Sequence, residues 1–155
     1  MNYGPEFETD FMGRTLLIIQ NYAGEYDQTL QLNCLLGLLV IPKEKFILSV
    51  STDGERDFPK WGLQPGSFNS FGKQRNEPGT GKPLPYAPNT IAGIVHSLRN
   101  AVGHFRVDPT HANGIVTGFH FHDDSGFDAV LTVEQLKTFA AKLAGQILND
   151  LPKRV

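Results

Sequence analysis

The chain has 155 residues, 40% hydrophobic and 19% charged, with a formal net charge of −2 and a single cysteine. This length and composition fit one domain over residues 1–155 with a core of its own, and exclude a wholly disordered chain or an internal disulfide. A slightly negative chain does not hold long nucleic acid by charge alone, but it can still grip a few phosphates at one site.

Residues 1–8 read as a polar, acidic lead-in without the pattern of a secretory signal. From Glu8 to about Tyr22 the spacing predicts a helix, with Phe7, Phe11, Leu17 and Ile18 on one side and Gly24 ending the run. Asp27 to Ile41 reads as a second helix, apolar nearly all round in its second half and stopped by Pro42. Its apolar run, Cys34 to Ile41, is far shorter than the ~20 residues a bilayer span requires. A cytoplasmic protein with no membrane partner is therefore expected. Cys34 reads as a small buried hydrophobe, and Asn33 as a structural hydrogen-bonding residue.

Between Thr52 and Ala87 the composition shifts to proline and glycine, with Trp61, Phe68 and Phe71 scattered through it. No periodicity organises the stretch, so it reads as a long loop that packs in part through its aromatics. Gly79-Thr80-Gly81-Lys82 superficially suggests a phosphate loop. That reading fails because position 76 is Asn, Pro83 fills the Ser/Thr slot and no helix can follow directly.

Pro88-Asn89 opens a third helix, with Asn89 as its N-cap and an end near Phe105 to Arg106. Asp108-Pro109 and Asn113-Gly114 are turn signals. Ile115 to His122 alternates as a strand, with Ile115, Thr117, Phe119 and Phe121 on one face. Asp124-Ser125-Gly126 turns it into a second strand, Phe127 to Leu131. Thr132 with Gln135 forms a capping box for a last helix, whose core stripe is Val133, Leu136, Ala140, Leu143 and Ile147. The expected fold is mainly α: a bundle of about four helices with an appended β-hairpin and a long Pro/Gly-rich loop.

The chemistry concentrates on the third helix. At about 100° per residue, Ile94, Leu98, Ala101 and Phe105 fall on one side with Ile91, Val95 and Val102 flanking them, while His96, Arg99, Asn100, Gly103 and His104 fall on the other. The presented face carries a phosphate-matching guanidinium, an amide and an imidazole able to carry a proton near neutral pH. Cleavage of RNA by its own 2′-hydroxyl needs a base, an acid and charge neutralisation at the phosphorane, and no metal. Arg99 suits the phosphate, His104 the proton transfer, and Asn100 the orientation of His104 or a phosphate oxygen; His96 and Arg106 are candidate substrate contacts. Arg99 and His104 are separated by about 140° around an ideal helix. Either Gly103 loosens the helix before His104, or a two-fold dimer brings two sets into one cleft. The dimer is the preferred solution. A rival reading takes His120 and His122, alternating on a strand before Asp123 and Asp124, as metal ligands, although spacing fixes no further ligand.

The segment Ser97-Leu98-Arg99-Asn100-Ala101-Val102-Gly103-His104-Phe105 resembles the signature of the HEPN superfamily (higher eukaryotes and prokaryotes nucleotide-binding): Arg, a polar residue, three variable residues and His. The leucine-rich Asn33–Leu39 stretch ending at Pro42, the hairpin and the Leu131–Leu136 helix start are similar to a bacterial, often plasmid-borne branch of HEPN nucleases. The resemblance implies a dimeric helical bundle and a metal-independent endoribonuclease leaving a 2′,3′-cyclic phosphate, without cofactor. It implies Arg99 and His104 as the catalytic pair, supported by Asn100. Family members serve as toxins or in defence, so an antitoxin or regulatory protein is an expected partner; others bind RNA, a nucleotide or protein without cutting. Where some HEPN toxins carry an adenylyl-accepting Tyr two positions after the His, this chain has Arg106, either a phosphate contact or a helix C-terminal cation.

Overall fold

The computed structural model describes residues 51–150, together with residues 13, 14, 17, 18 and 21. Those five are helical, inside the predicted first helix, but Leu17 and Ile18 are exposed rather than turned to a core. The predicted second helix, with Asn33 and Cys34, lies outside the described residues.

Four strands form one antiparallel sheet: β1 (Phe68–Phe71), β2 (Val107–Ala112), β3 (Ile115–His122) and β4 (Phe127–Thr132), in the order β1-β4-β3-β2. Two α-helices, α1 (Ile91–Gly103) and α2 (Val133–Asp150), and a 3-10 helix at Glu55–Trp61 accompany it. Phe119 pairs with Leu131 and Phe121 with Ala129, so these four side chains share one sheet face, where all are buried. Helix α1 packs on β3, and α2 packs on β4, β3 and the 3-10 helix. The core is therefore a layer between one sheet face and the helices. His120, His122, Asp128 and Val130 point the other way, to the wetter face.

This sheet corrects the expectation of a mainly helical bundle with an appended hairpin. Two of its strands were hidden for physical reasons. β2 contains Asp108-Pro109, which reads as a turn, but β2 is the edge of the sheet, where a residue without an N–H is tolerated. β1 is four residues long, too short to display a period, and lies inside the stretch read as a loop. That stretch is no plain loop. It sends Phe58, Trp61, Leu63 and Phe68 into the core, with Phe58 and Phe68 rings 5.5 Å apart.

Other local signals hold. Asn113 and Gly114 both take positive φ, 54° and 77°, as a tight β2–β3 hairpin turn demands. The Thr132 amide donates to Gln135 Oε1 at 2.9 Å and the Gln135 amide to Thr132 Oγ1 at 3.1 Å, the reciprocal capping box. Leu136, Ala140 and Leu143 are buried, with Phe139 and Ala144 beside them, while Val133 is only partly covered. On β3, Phe119 and Phe121 are buried but Ile115 and Thr117 are exposed.

Helix α1 begins one residue later than predicted. Thr90, not Asn89, is the N-cap: its Oγ1 accepts from the Gly93 amide at 3.2 Å. The helix then ends at Gly103, earlier than expected, in a Schellman motif. The Phe105 amide donates to Val102 O at 3.1 Å and the Arg106 amide to Ala101 O at 2.7 Å. Phe105 occupies the left-handed position at φ 56°, a conformation that costs a non-glycine residue about 1 kcal/mol or more. It is consequently swung out of the core stripe assigned to it and is 94% exposed.

The chain enters α1 across the helix itself. A Cβ on Gly93 would lie 2.4 Å from Ala87 O and 2.6 Å from Pro88 O, so only glycine lets residues 87–88 pass so closely. Gly93→Ala is expected to destabilise the protein by about 1–3 kcal/mol through this overpacking, read as a lower midpoint in urea unfolding with an unchanged slope.

Candidate functional site

Residues 73–86 run out from β1 and return to α1 as an irregular ribbon. The Leu84 amide donates to Arg75 O at 2.9 Å and the Glu77 amide to Lys82 O at 2.7 Å, with a bridge between Asn76 and Pro83. Gln74 Nε2 donates to Tyr86 O at 3.2 Å and so ties the two arms together. Gly79-Thr80-Gly81-Lys82 forms the exposed tip of this ribbon. Its base carries Arg75 and Tyr86, which the ribbon lays on the side of α1 that does not face the sheet core.

Arg75 is the hub. Its Nη2 donates to Ser97 Oγ on α1 at 3.1 Å and to Ser125 Oγ in the β3–β4 turn at 3.2 Å, and it forms an ion pair with Asp123. The Asp123 side chain is 3% exposed and that of Arg75 20%. Asp123 also accepts from the Ser125 amide at 2.9 Å and its hydroxyl at 2.6 Å. Burial pushes the Asp123 carboxyl up, but the Ser125 hydrogen bonds and the Arg75 charge outweigh it and hold it below the usual carboxylate range. Ser97, the buried polar residue of α1, is satisfied by Arg75.

Beside this hub lie Tyr86, His96 and Arg99. Tyr86 Oη and His96 Nδ1 are hydrogen-bonded at 2.9 Å, with the rings edge to face. Burial lowers the His96 imidazole to about 4, helped by the charges of Arg75 and Arg99 and opposed by Asp123. His96 is therefore neutral at physiological pH. Burial raises the Tyr86 phenol, against the pull of Arg99 and Arg75. Burial also lowers the Arg99 guanidinium, which nevertheless keeps its charge at neutral pH.

The predicted site residues thus divide. His96 and Arg99 share one half-buried cluster with Tyr86 and Arg75, and Asn100 follows on the same helix, half-buried. His104 stands beyond the last helical residue, exposed, with its amide donating to Asn100 O at 3.0 Å. Arg106 forms an ion pair with Asp124 and anchors the start of β2 to β3 through its carbonyl, which accepts from the His122 amide at 3.2 Å. Sequence reasoning missed Arg75 and Tyr86. They lie in the aperiodic stretch, where no pattern marks a side chain as inward.

The rival set on β3 and the turn after it is dispersed. Asp123 is committed to Arg75 and Asp124 to Arg106, while His120 Nε2 lies 3.0 Å from Asp128 and His122 Nε2 3.5 Å from Asp108. Among the described residues no group of three or more His, Cys, Asp or Glu converges on a point fit for a metal. None of the described helices is long and apolar enough to cross a membrane.

The family model described as HEPN pEK499 p136 matches residues 1–154. No curated protein and no solved structure matches the chain.

Two outcomes follow from the cluster. Asp123→Ala leaves Arg75 buried without its counter-charge and should cost about 3–5 kcal/mol; combined with Arg75→Ala, the loss should fall well short of additive in denaturant titrations. The unfolded chain protonates His96 near its ordinary 6.5 and the folded one only near about 4, so across that window the unfolded state binds more protons. Stability from this group is full above 6.5 and declines as the pH drops toward 4. Wild type should therefore lose urea resistance more steeply than His96→Gln between those two pH values.

Proposed function

The chain belongs to the HEPN pEK499 p136 family, and from that premise we propose that it is a metal-independent endoribonuclease acting as a homodimer. Membership in that family supports a nucleotide-binding or ribonuclease-like module. The observation that carries the finer reading is the pairing on α1 of a half-desolvated guanidinium, Arg99, with the exposed imidazole of the C-cap residue, His104. A partly desolvated arginine gains more from a phosphate than one in bulk water, and it can bind two oxygens at once.

The reaction breaks one P–O bond and forms another. A neutral imidazole takes the proton of the 2′-hydroxyl, O2′ bonds to phosphorus, and the P–O5′ bond breaks. An imidazolium then gives its proton to the departing O5′, leaving a 2′,3′-cyclic phosphate. Arg99 neutralises the crowded phosphorane. One chain supplies one exposed imidazole on the motif. His96 is engaged by Tyr86 and held neutral, unsuited to act as the acid. A second copy, related by a two-fold axis, supplies the other in the form of its own His104. Asn100 supports this pair from the preceding turn.

A role as a toxin or defence effector, held in check by an antitoxin or regulatory protein, accords with this chemistry. Arg106 stands where an adenylyl-accepting tyrosine would be needed, so control by that modification is not proposed.

The test is RNA cleavage in excess chelator. Wild type should cut and leave a cyclic phosphate, and RNA with 2′-deoxy residues should stay intact. His104→Ala should lower the rate by at least about 10²-fold, with Arg99→Ala similarly impaired and both variants folded. Loss of cutting on chelation overturns the metal-independent route. Binding of RNA without cleavage by wild type would identify a non-catalytic HEPN module.

A further inference from the structure

Among the described residues, Phe105 is the most exposed large hydrophobic. It holds the left-handed position of a Schellman motif at φ 56°, where glycine is the unstrained choice, and its ring is 94% exposed. The ring therefore gains nothing from the core to offset its backbone. Strained, uncompensated positions of this kind mark places where something other than stability keeps the residue.

We propose that Phe105 is a stacking platform for a nucleobase of single-stranded RNA, next to the phosphate engaged by Arg99 and His104. This inference rests on the reading that the chain acts on RNA. Three observations select a base as the occupant. The ring directly follows His104, which is itself exposed, and precedes Arg106, whose guanidinium is held by Asp124. Its exposed neighbours in sequence are Gly103 and His104 before it and Asp108 after it. Ile115, another exposed large hydrophobe, sits at the opposite end of β3 from Phe121, about 20 Å away along the strand. Among the described residues the other exposed large hydrophobics are Leu17, Ile18, Ile115 and Val130, none of them a sequence neighbour of the ring. A base offers what fits: a flat π-face with a phosphate on either side.

The left-handed turn also gives the platform a fixed stance. The Phe105 and Arg106 amides are both held by carbonyls of α1, at 3.1 and 2.7 Å, so the ring springs from a braced backbone rather than from a loop. A base stacked there is registered against the helix that carries Arg99. Purines, with the larger face, should stack better than pyrimidines.

The experiment uses the full chain with Phe105→Gly, Phe105→Leu and Phe105→Trp. Binding of 2′-O-methyl oligo(A) and oligo(U), which cannot be cut, is followed by fluorescence anisotropy. Melting and sedimentation give stability and oligomeric state. Phe105→Gly should melt higher than wild type, because the strain is relieved, yet bind oligo(A) about tenfold more weakly. Phe105→Leu should lose the same affinity, and Phe105→Trp should retain it, with indole fluorescence quenched on binding. In cleavage assays the loss should appear in KM far more than in kcat. Unchanged affinity in Phe105→Gly and Phe105→Leu overturns the platform while leaving the RNA reading intact. A dimer that falls apart in Phe105→Gly overturns it in favour of an interface between copies. Wild type that neither binds nor cuts any RNA overturns both readings together.

Discussion

The ion pair between Arg75 and Asp123 is the contact on which the arrangement around α1 depends. It joins three parts distant in sequence: the ribbon after β1, the turn between β3 and β4, and Ser97 on α1. A charge pair this enclosed is costly to form, since both ions leave water. It persists here because the lone pairs of Asp123 are also met by the Ser125 amide and hydroxyl, and the guanidinium by two serine hydroxyls. A second tie, from the Lys73 amide to Ser125 O at 2.9 Å, runs beside it. Together they bring Tyr86 over His96 and give one side of the motif helix a low-dielectric surround.

That surround changes what the motif is. On an isolated amphipathic helix, His96, Arg99 and Asn100 would share one wet face. Under the ribbon, His96 becomes a neutral partner of Tyr86, and Arg99 a half-buried cation whose charge is poorly hydrated. His104 escapes this treatment because α1 stops at Gly103. His104 and Arg99 therefore sit in different environments, one open and one enclosed. The helix terminus is the boundary between them, and the strained Phe105 stands on its open side.

Much of this was legible locally. The buried side of α1, the Asn113-Gly114 hairpin turn, strands β3 and β4, and the Thr132–Gln135 box are all carried by short-range chemistry, and all stand in the fold. Asp123 and Asp124 looked like paired ligands beside two histidines, and each instead neutralises a different arginine. The helix projection that put Phe105 in the core carried the helix on to Phe105 or Arg106, whereas α1 ends at Gly103. The bundle expectation failed because helical periodicity is visible over a few turns, whereas a four-residue strand and a proline-bearing edge strand show almost none.

What the chain determined by itself was therefore whatever rests on neighbours within a few residues: caps, turns, the amphipathic sorting of α1 and the presence of an Arg–Asn–His string on it. Only the tertiary structure decided that residues 51–87 build part of the core and roof the motif, that Arg75 and Tyr86 pack against Ser97 and His96, and that His96 is uncharged. The reason is dielectric and topological. Which groups lose their water, and which opposite charge meets them there, depends on segments up to 50 residues apart closing on each other, and no local pattern of side chains encodes that meeting.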